Sequence, residues 1–107
     1  MFKDIFGDNP HTKVLDFLAD HVRYDYNISD IARFSEVSRP TVYRVIEYLL
    51  QNKLVIKTRD MRNSSMYKLN TDSKIVQKIL QFDLEVGKLI ADIEATKGVK
   101  KLGKIIA

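Results

Sequence analysis

Cysteine is absent from this chain of 107 residues. That excludes a disulfide, a thiolate metal site and a cysteine nucleophile, and it agrees with a cytoplasmic setting. No apolar run approaches the ~18 residues of a membrane span. The segment Met1-Phe2-Lys3-Asp4 has no apolar h-region, so no secretory leader is expected. A Gly-rich phosphate loop, an HExxH helix, a GxSxG elbow and any Cys-His pairing are also missing, so nothing points to an enzyme. His11 and His21 lie ten residues apart. They therefore do not form the i, i+4 pair that binds metal on a helix, and no metal or other cofactor is expected. The composition, 45% hydrophobic and 30% charged, reads as a soluble globular chain. Its length suits one domain with one modest core.

The net charge of +4 hides an uneven distribution. Residues 1–36 carry 4 basic and 7 acidic groups, residues 37–70 carry 7 and 2, and residues 71–96 carry 3 and 5. The remaining four lysines (Lys97, Lys100, Lys101 and Lys104) sit in a short terminal run without acids. A balanced body with one cationic middle segment implies a directed surface for an anionic partner.

Helical periodicity begins after Asn9, a cap residue, and Pro10, suited to a first helical position. Val14, Leu15, Leu18 and Val22 continue it. Tyr24–Asn27 breaks the period and reads as a loop or short strand. Ser29 is expected to cap a second, short helix ending near Ser35-Glu36-Val37. Ser38 is expected to cap a third, with Pro40 in its first turn, where a missing N–H is harmless. Val42, Val45, Ile46 and Leu49 form its apolar stripe, and Thr41, Arg44, Glu47 and Gln51 fall elsewhere on the wheel. Leu54–Arg59 and Met66–Asn70 have strand character, and the polar Asp60–Ser65 between them predicts a hairpin with a basic tip.

The last predicted element is a long helix, capped by Asp72 or Ser73 and stopped by Gly98 after about Lys97. Ile75, Ile79, Phe82, Val86, Leu89 and Ile93 repeat at heptad spacing. A second stripe of Val76, Leu80, Leu84 and Ala91 widens the apolar arc far beyond the ~100° that one core-facing side needs. The excess implies two contacts, one with the chain's own core and one with another copy. Gly87 costs about 1 kcal/mol in mid-helix, offset if a second helix crosses closely there and otherwise simply a local weakness.

The informative stretch runs from Ile28-Ser29-Asp30-Ile31-Ala32 through Ser35-Glu36-Val37-Ser38-Arg39-Pro40-Thr41-Val42-Tyr43-Arg44-Val45-Ile46. Two short helices meet at a tight turn, with Ala32 small at the crossing and Val37 plugging the turn. Polar residues are left free near the start of the second helix, a disposition suited to base edges and phosphates. With the hairpin Leu54–Leu69, this resembles the winged helix-turn-helix regulators of the ArsR and MarR type, particularly small archaeal versions. The resemblance implies duplex DNA as partner, with the second helix in the major groove and the hairpin, or wing, on the backbone or minor groove. Carried over by position, Ser38, Arg39, Thr41, Tyr43 and Arg44 become base or phosphate contacts. Lys57, Arg59, Arg62 and Asn63 become wing contacts. Metal sensing does not carry over, because the ArsR-type ligands are cysteines. Glu36 stands where such turns often have glycine, so a left-handed backbone there carries strain of order 1 kcal/mol.

The expected architecture is therefore mainly α with a small antiparallel sheet. Residues 1–71 form a winged helix-turn-helix, 72–98 a C-terminal dimerisation helix and 99–107 a basic tail. The expected role is a cytoplasmic, homodimeric, sequence-specific DNA-binding regulator, more often a repressor, without a membrane partner. No effector is readable. Two alternatives remain at this level: a winged-helix protein-docking module and a nonspecific or architectural nucleic-acid binder.

Overall fold

The computed structural model describes residues 1–97. Five helices and one hairpin follow in the order α1 (Phe2–Phe6), α2 (Pro10–Asp20), α3 (Ile28–Ser35), α4 (Arg39–Gln51), β1 (Val55–Met61), β2 (Ser64–Leu69) and α5 (Lys74–Lys97). The terminal run after Lys97, with the expected stop at Gly98, lies outside the described residues.

Local chemistry sets most boundaries. Asn9 and Thr12 form a reciprocal capping box at α2: each side chain accepts from the other's backbone N–H, at 3.1 Å in both directions. α1 has no counterpart in the sequence reading, since five residues are too few to show a period. Asp16 of α2 anchors it by accepting from the backbone N–H groups of Phe2 (2.7 Å) and Lys3 (3.2 Å). That places an acid at a helix N-terminus, where the dipole favours it. α3 begins two residues earlier than a Ser29 cap would give. Asn27 is the cap, its Oδ1 accepting from Asp30 N–H at 2.8 Å. The chain is already fixed at this point, because Tyr26 and Tyr67 exchange backbone hydrogen bonds of 2.9 and 2.8 Å as an isolated bridge. Ser38 does occupy the cap position of α4, but its hydroxyl donates to Thr41 Oγ1 (2.9 Å) and makes no bond to the helix backbone.

One core joins the elements. Val14 and Leu18 of α2, Ile31 of α3, Val42 and Ile46 of α4, Val55 and Leu69 of the hairpin and Val76 of α5 are fully buried. Each full burial of this kind contributes about 1.5–3 kcal/mol. The hairpin pairs Val55 with Leu69 at its base and Met61 with Ser64 near its tip, with a bulge between Lys57 and Arg59. Its connection is shorter than the six-residue turn expected from Asp60–Ser65. Pairing extends outward until only Arg62 and Asn63 are left, and Arg62 takes a φ of 57°.

Only the first turns of α5 enter the core, through Val76 with Ile79 and Leu80 packed beside it. The rest projects, which raises the radius of gyration to 14.9 Å against about 13 Å for a compact domain of this size. A Cβ placed on Gly87 would meet nothing within 4 Å, so the chain itself makes no close crossing there.

Candidate nucleic-acid interface

The turn between α3 and α4 is held by Val37 N–H, which donates to Ala32 C=O at 3.1 Å. Glu36 is left-handed (φ 58°, ψ 43°) and exposed. A non-glycine residue there costs roughly 1–2 kcal/mol, offset by the burial that the turn makes possible. Ala32 is buried at the crossing and Val37 is half-buried against the core.

This arrangement turns the face of α4 opposite Val42, Val45, Ile46 and Leu49 toward solvent. Arg39, Tyr43 and Arg44 are exposed, and Thr41 is half-buried. Thr41 Oγ1 accepts from both Ser38 Oγ and Arg44 Nη2 (3.2 Å), so the guanidinium lies along the first turn of the helix. The arginine thereby loses some freedom before any partner arrives. His11 meets Tyr48 edge-on, at 5.6 Å between ring centroids, at the far end of the face.

The wing residues fall into two groups. Lys57, Arg62 and Asn63 are exposed; Lys57 makes one exposed contact, to Asp60 at 3.4 Å. Arg59 is engaged within the chain. Its Nε and Nη2 donate to the two carboxylate oxygens of Asp25 at 3.0 and 3.1 Å, a bidentate pair of high directionality. Thr58 Oγ1 donates to the same carboxylate. The Arg59 and Thr58 hydrogen bonds hold the Asp25 carboxyl below its usual range. Asp60 is likewise lowered, by Ser65 first and Lys57 second. Asp25 and the Tyr26–Tyr67 bridge together pin the wing to the α2–α3 loop. The sequence reading missed Asp25 because its partner is 34 residues distant and no local pattern links them.

In α5 the heptad residues are divided between the chain's own packing and exposure. Ile79 packs on the chain's own core, Val86 and Ile93 are half-buried, and Ile75, Phe82 and Leu89 are 63%, 39% and 59% exposed. Of the second stripe, Val76 and Leu80 face the core, while Leu84 is 75% exposed. Phe2, Phe6 and Phe82 stack with centroids 6.2–6.4 Å apart. With Leu15, Ile75 and Ile79 they line an open apolar groove of about 640 Å³. Among the described residues there is no cluster of three or more His, Asp or Glu side chains that could hold a metal ion, and no helix is long and apolar enough to cross a membrane.

The fold these elements define is the winged helix-turn-helix. Solved structures share it. NMB1585, a MarR-family regulator from Neisseria meningitidis, aligns with a TM-score of 0.62 over 92% of this chain and 68% of that one, at 19% identity. MepR from Staphylococcus aureus, a transcription regulator of the multidrug efflux pump MepA, aligns at 0.58 over 85% and 69%, with 20% identity. A mutant MepR bound to an oligodeoxyribonucleotide aligns at 0.57 over 84% and 68%, also with 20% identity. No protein-family model matches the sequence. No curated protein matches it either.

Proposed function

We propose that this protein is a transcription regulator that binds duplex DNA as a homodimer. α4 enters the major groove, and the wing follows the backbone or the minor groove. The observation that carries the reading is spatial. Arg39 and Tyr43 of α4 line the same notch as Asn63 and Ser64 of the wing, so the cationic segment 37–70 forms one outward face. Arg44 lies on that helix beside Thr41, where a guanidinium can pair bidentately with guanine O6 and N7. Lys57 and Arg62 supply the charge that phosphates attract. Asn63 is the wing's polar reader, and Ser38 supports Thr41. Arg59, tied to Asp25, positions the wing.

The second copy covers the apolar face of α5. Exposed Ile75, Phe82 and Leu89 lie along one side of α5, with Phe6 of α1 stacked on Phe82, and water disfavours an apolar patch of that kind on a monomer. A two-fold dimer through this face presents its two α4 helices to half-sites about one DNA turn, roughly 34–36 Å, apart. Occupation of a promoter by such a dimer represses by occlusion. A soluble dimer of this kind works in the cytoplasm. The DNA-bound neighbour with the same fold supports the reading.

Selection of bound duplexes from a random pool tests it. The expected product is a pseudo-palindrome preferred over unrelated DNA by about 10³-fold or more. Failure to retain any duplex at low salt would leave protein docking as the better account of the face. Retention without sequence preference would make the protein an architectural binder.

A further inference from the structure

The notch between α4 and the wing has an unusual lining. It holds about 160 Å³ and is walled by three separate segments: Ser29 with its neighbours at the start of α3, Arg39 and Tyr43 one turn apart on α4, and Asn63 and Ser64 at the wing. Its back is fixed by the Tyr26–Tyr67 backbone bridge. None of the lining residues is acidic, and Arg39 is the one cation among them. Among the described residues, the side chains of Ser29, Arg39, Tyr43, Asn63 and Ser64 form no hydrogen bond within the chain. Their neighbours Asn27 and Ser65 are engaged, with Asp30 N–H and Asp60 respectively, both at 2.8 Å.

We propose that this notch seats one phosphate group of the DNA backbone, with Arg39 as its cation and Ser29, Tyr43, Asn63 and Ser64 as neutral donors. This rests on the duplex-binding reading of the same face. A phosphodiester offers only acceptors, so it is matched by a pocket that converges donors and excludes carboxylates. Donors left unpaired when the surrounding face is desolvated would be costly, and a phosphate satisfies several at once. The space, about 160 Å³, fits one tetrahedral group with attendant water. A group held there touches α4 and the wing together, so it sets the angle between the two reading elements. It also divides the arginines: Arg39 holds backbone, and Arg44, at the next turn beside Thr41, is left for a base edge.

Two measurements on the full chain test the seat. In the first, inorganic phosphate is titrated at constant ionic strength against chloride while backbone amides are followed by NMR. Saturable shifts confined to Ser29, Arg39, Tyr43, Asn63 and Ser64, and lost in Arg39→Gln, are expected. Absent shifts, scattered shifts or an equal response to chloride would overturn the seat, even if duplex DNA still binds. In the second, each phosphate of a bound duplex is replaced in turn by a methylphosphonate. One position per half-site should weaken binding by about tenfold in the native protein and have little effect in Ser29→Ala, Tyr43→Phe or Arg39→Gln. Undiminished sensitivity in all three variants would overturn the assignment. If the notch takes free phosphate but no duplex binds, DNA is not the source of the group. The proposal then fails together with the regulator reading, and only an oxyanion site remains.

Discussion

The two exposed faces of this molecule are built on opposite plans. The α4–wing face is cationic, and its side chains are pre-positioned: Thr41 holds Arg44, Asp25 holds Arg59, and the Tyr26–Tyr67 bridge fixes the wing's base. The α5 face is apolar, and beyond its first turns little in the chain supports it, with Leu84 and Leu89 standing 75% and 59% exposed. A rigid polar face suits a partner whose shape and charge are regular, because ordering costs have already been met within the fold. A loose apolar face suits a partner that supplies the missing half of a core. On the proposed reading, the long helix needs a second copy to complete its core, whereas the α4–wing face is built within one chain.

The strongest way to break this comparison is to charge the apolar face. Leu84→Lys with Leu89→Lys changes two exposed side chains that do not pack against the core, so the winged helix should keep its unfolding midpoint while light scattering reports a monomer. Two half-sites would then be bound independently, and affinity for the full site should fall by about 10²–10⁴-fold. The companion pair Phe82→Lys and Leu89→Lys should also lose stability, because Phe82 stacks on Phe2 and Phe6. An intact dimer in the first pair would remove the α5 face from the interface.

A smaller effect is expected on the cationic face. Arg44→Ala should cost about 1–3 kcal/mol, concentrated at one base pair of each half-site, in a competition assay over all single-base variants. A loss spread evenly over all sequences would move Arg44 from base to phosphate and contradict the division of labour between it and Arg39.

Much of this division could be read in the sequence, and the exceptions have a common cause. The stripe Val42, Val45, Ile46 and Leu49 is buried as its spacing implies, because helix period and core direction are both local properties. Asn9 and Pro10 open α2 for the same reason. Asn27 and Ser29 are both good caps, and the choice between them depends on where Tyr26 meets Tyr67, a contact across the fold. Arg59 looks no different from Arg62 in sequence. Asp25 separates them, and it approaches only after the wing has packed on the α2–α3 loop. The five-residue α1 is stabilised by Asp16 and by Phe82, both distant in the chain. Local chemistry was therefore visible and long-range pairing was not, at the interface as in the fold.

The contrast between Arg59 and Arg62 can be measured directly. Arg62→Ala should make the dependence of log K on log salt shallower by about one unit and weaken all sequences alike. Arg59→Ala should leave that slope nearly unchanged, because its charge is already balanced by Asp25. Its effect should appear as faster amide exchange in β1 and β2, where the wing loses its tie to the loop. Equal slope changes in the two variants would show that Arg59 leaves Asp25 for phosphate on binding.

The smallest effect tests the seam between the two faces. Asp83 lies half-buried on α5, and its carboxyl is pushed above the ordinary range, first by burial and then by Asp20 and Asp16 of α2, against the opposing pull of the N-terminal amine. An acid raised on folding binds its proton more tightly in the native state, so stability falls as pH rises from the unfolded value through the folded one. Burial and the Asp20 and Asp16 carboxylates therefore disfavour the charged form of Asp83 in the folded chain. Asp83→Asn, nearly isosteric and always neutral, should raise the thermal midpoint slightly at pH 7. The advantage should shrink as the pH approaches the ordinary carboxylate value of 3.8, where the native residue is itself neutral. A variant less stable than the parent at pH 7 would mean that the charge on Asp83 supports the helix junction, and that the root of α5 belongs electrostatically to the polar face.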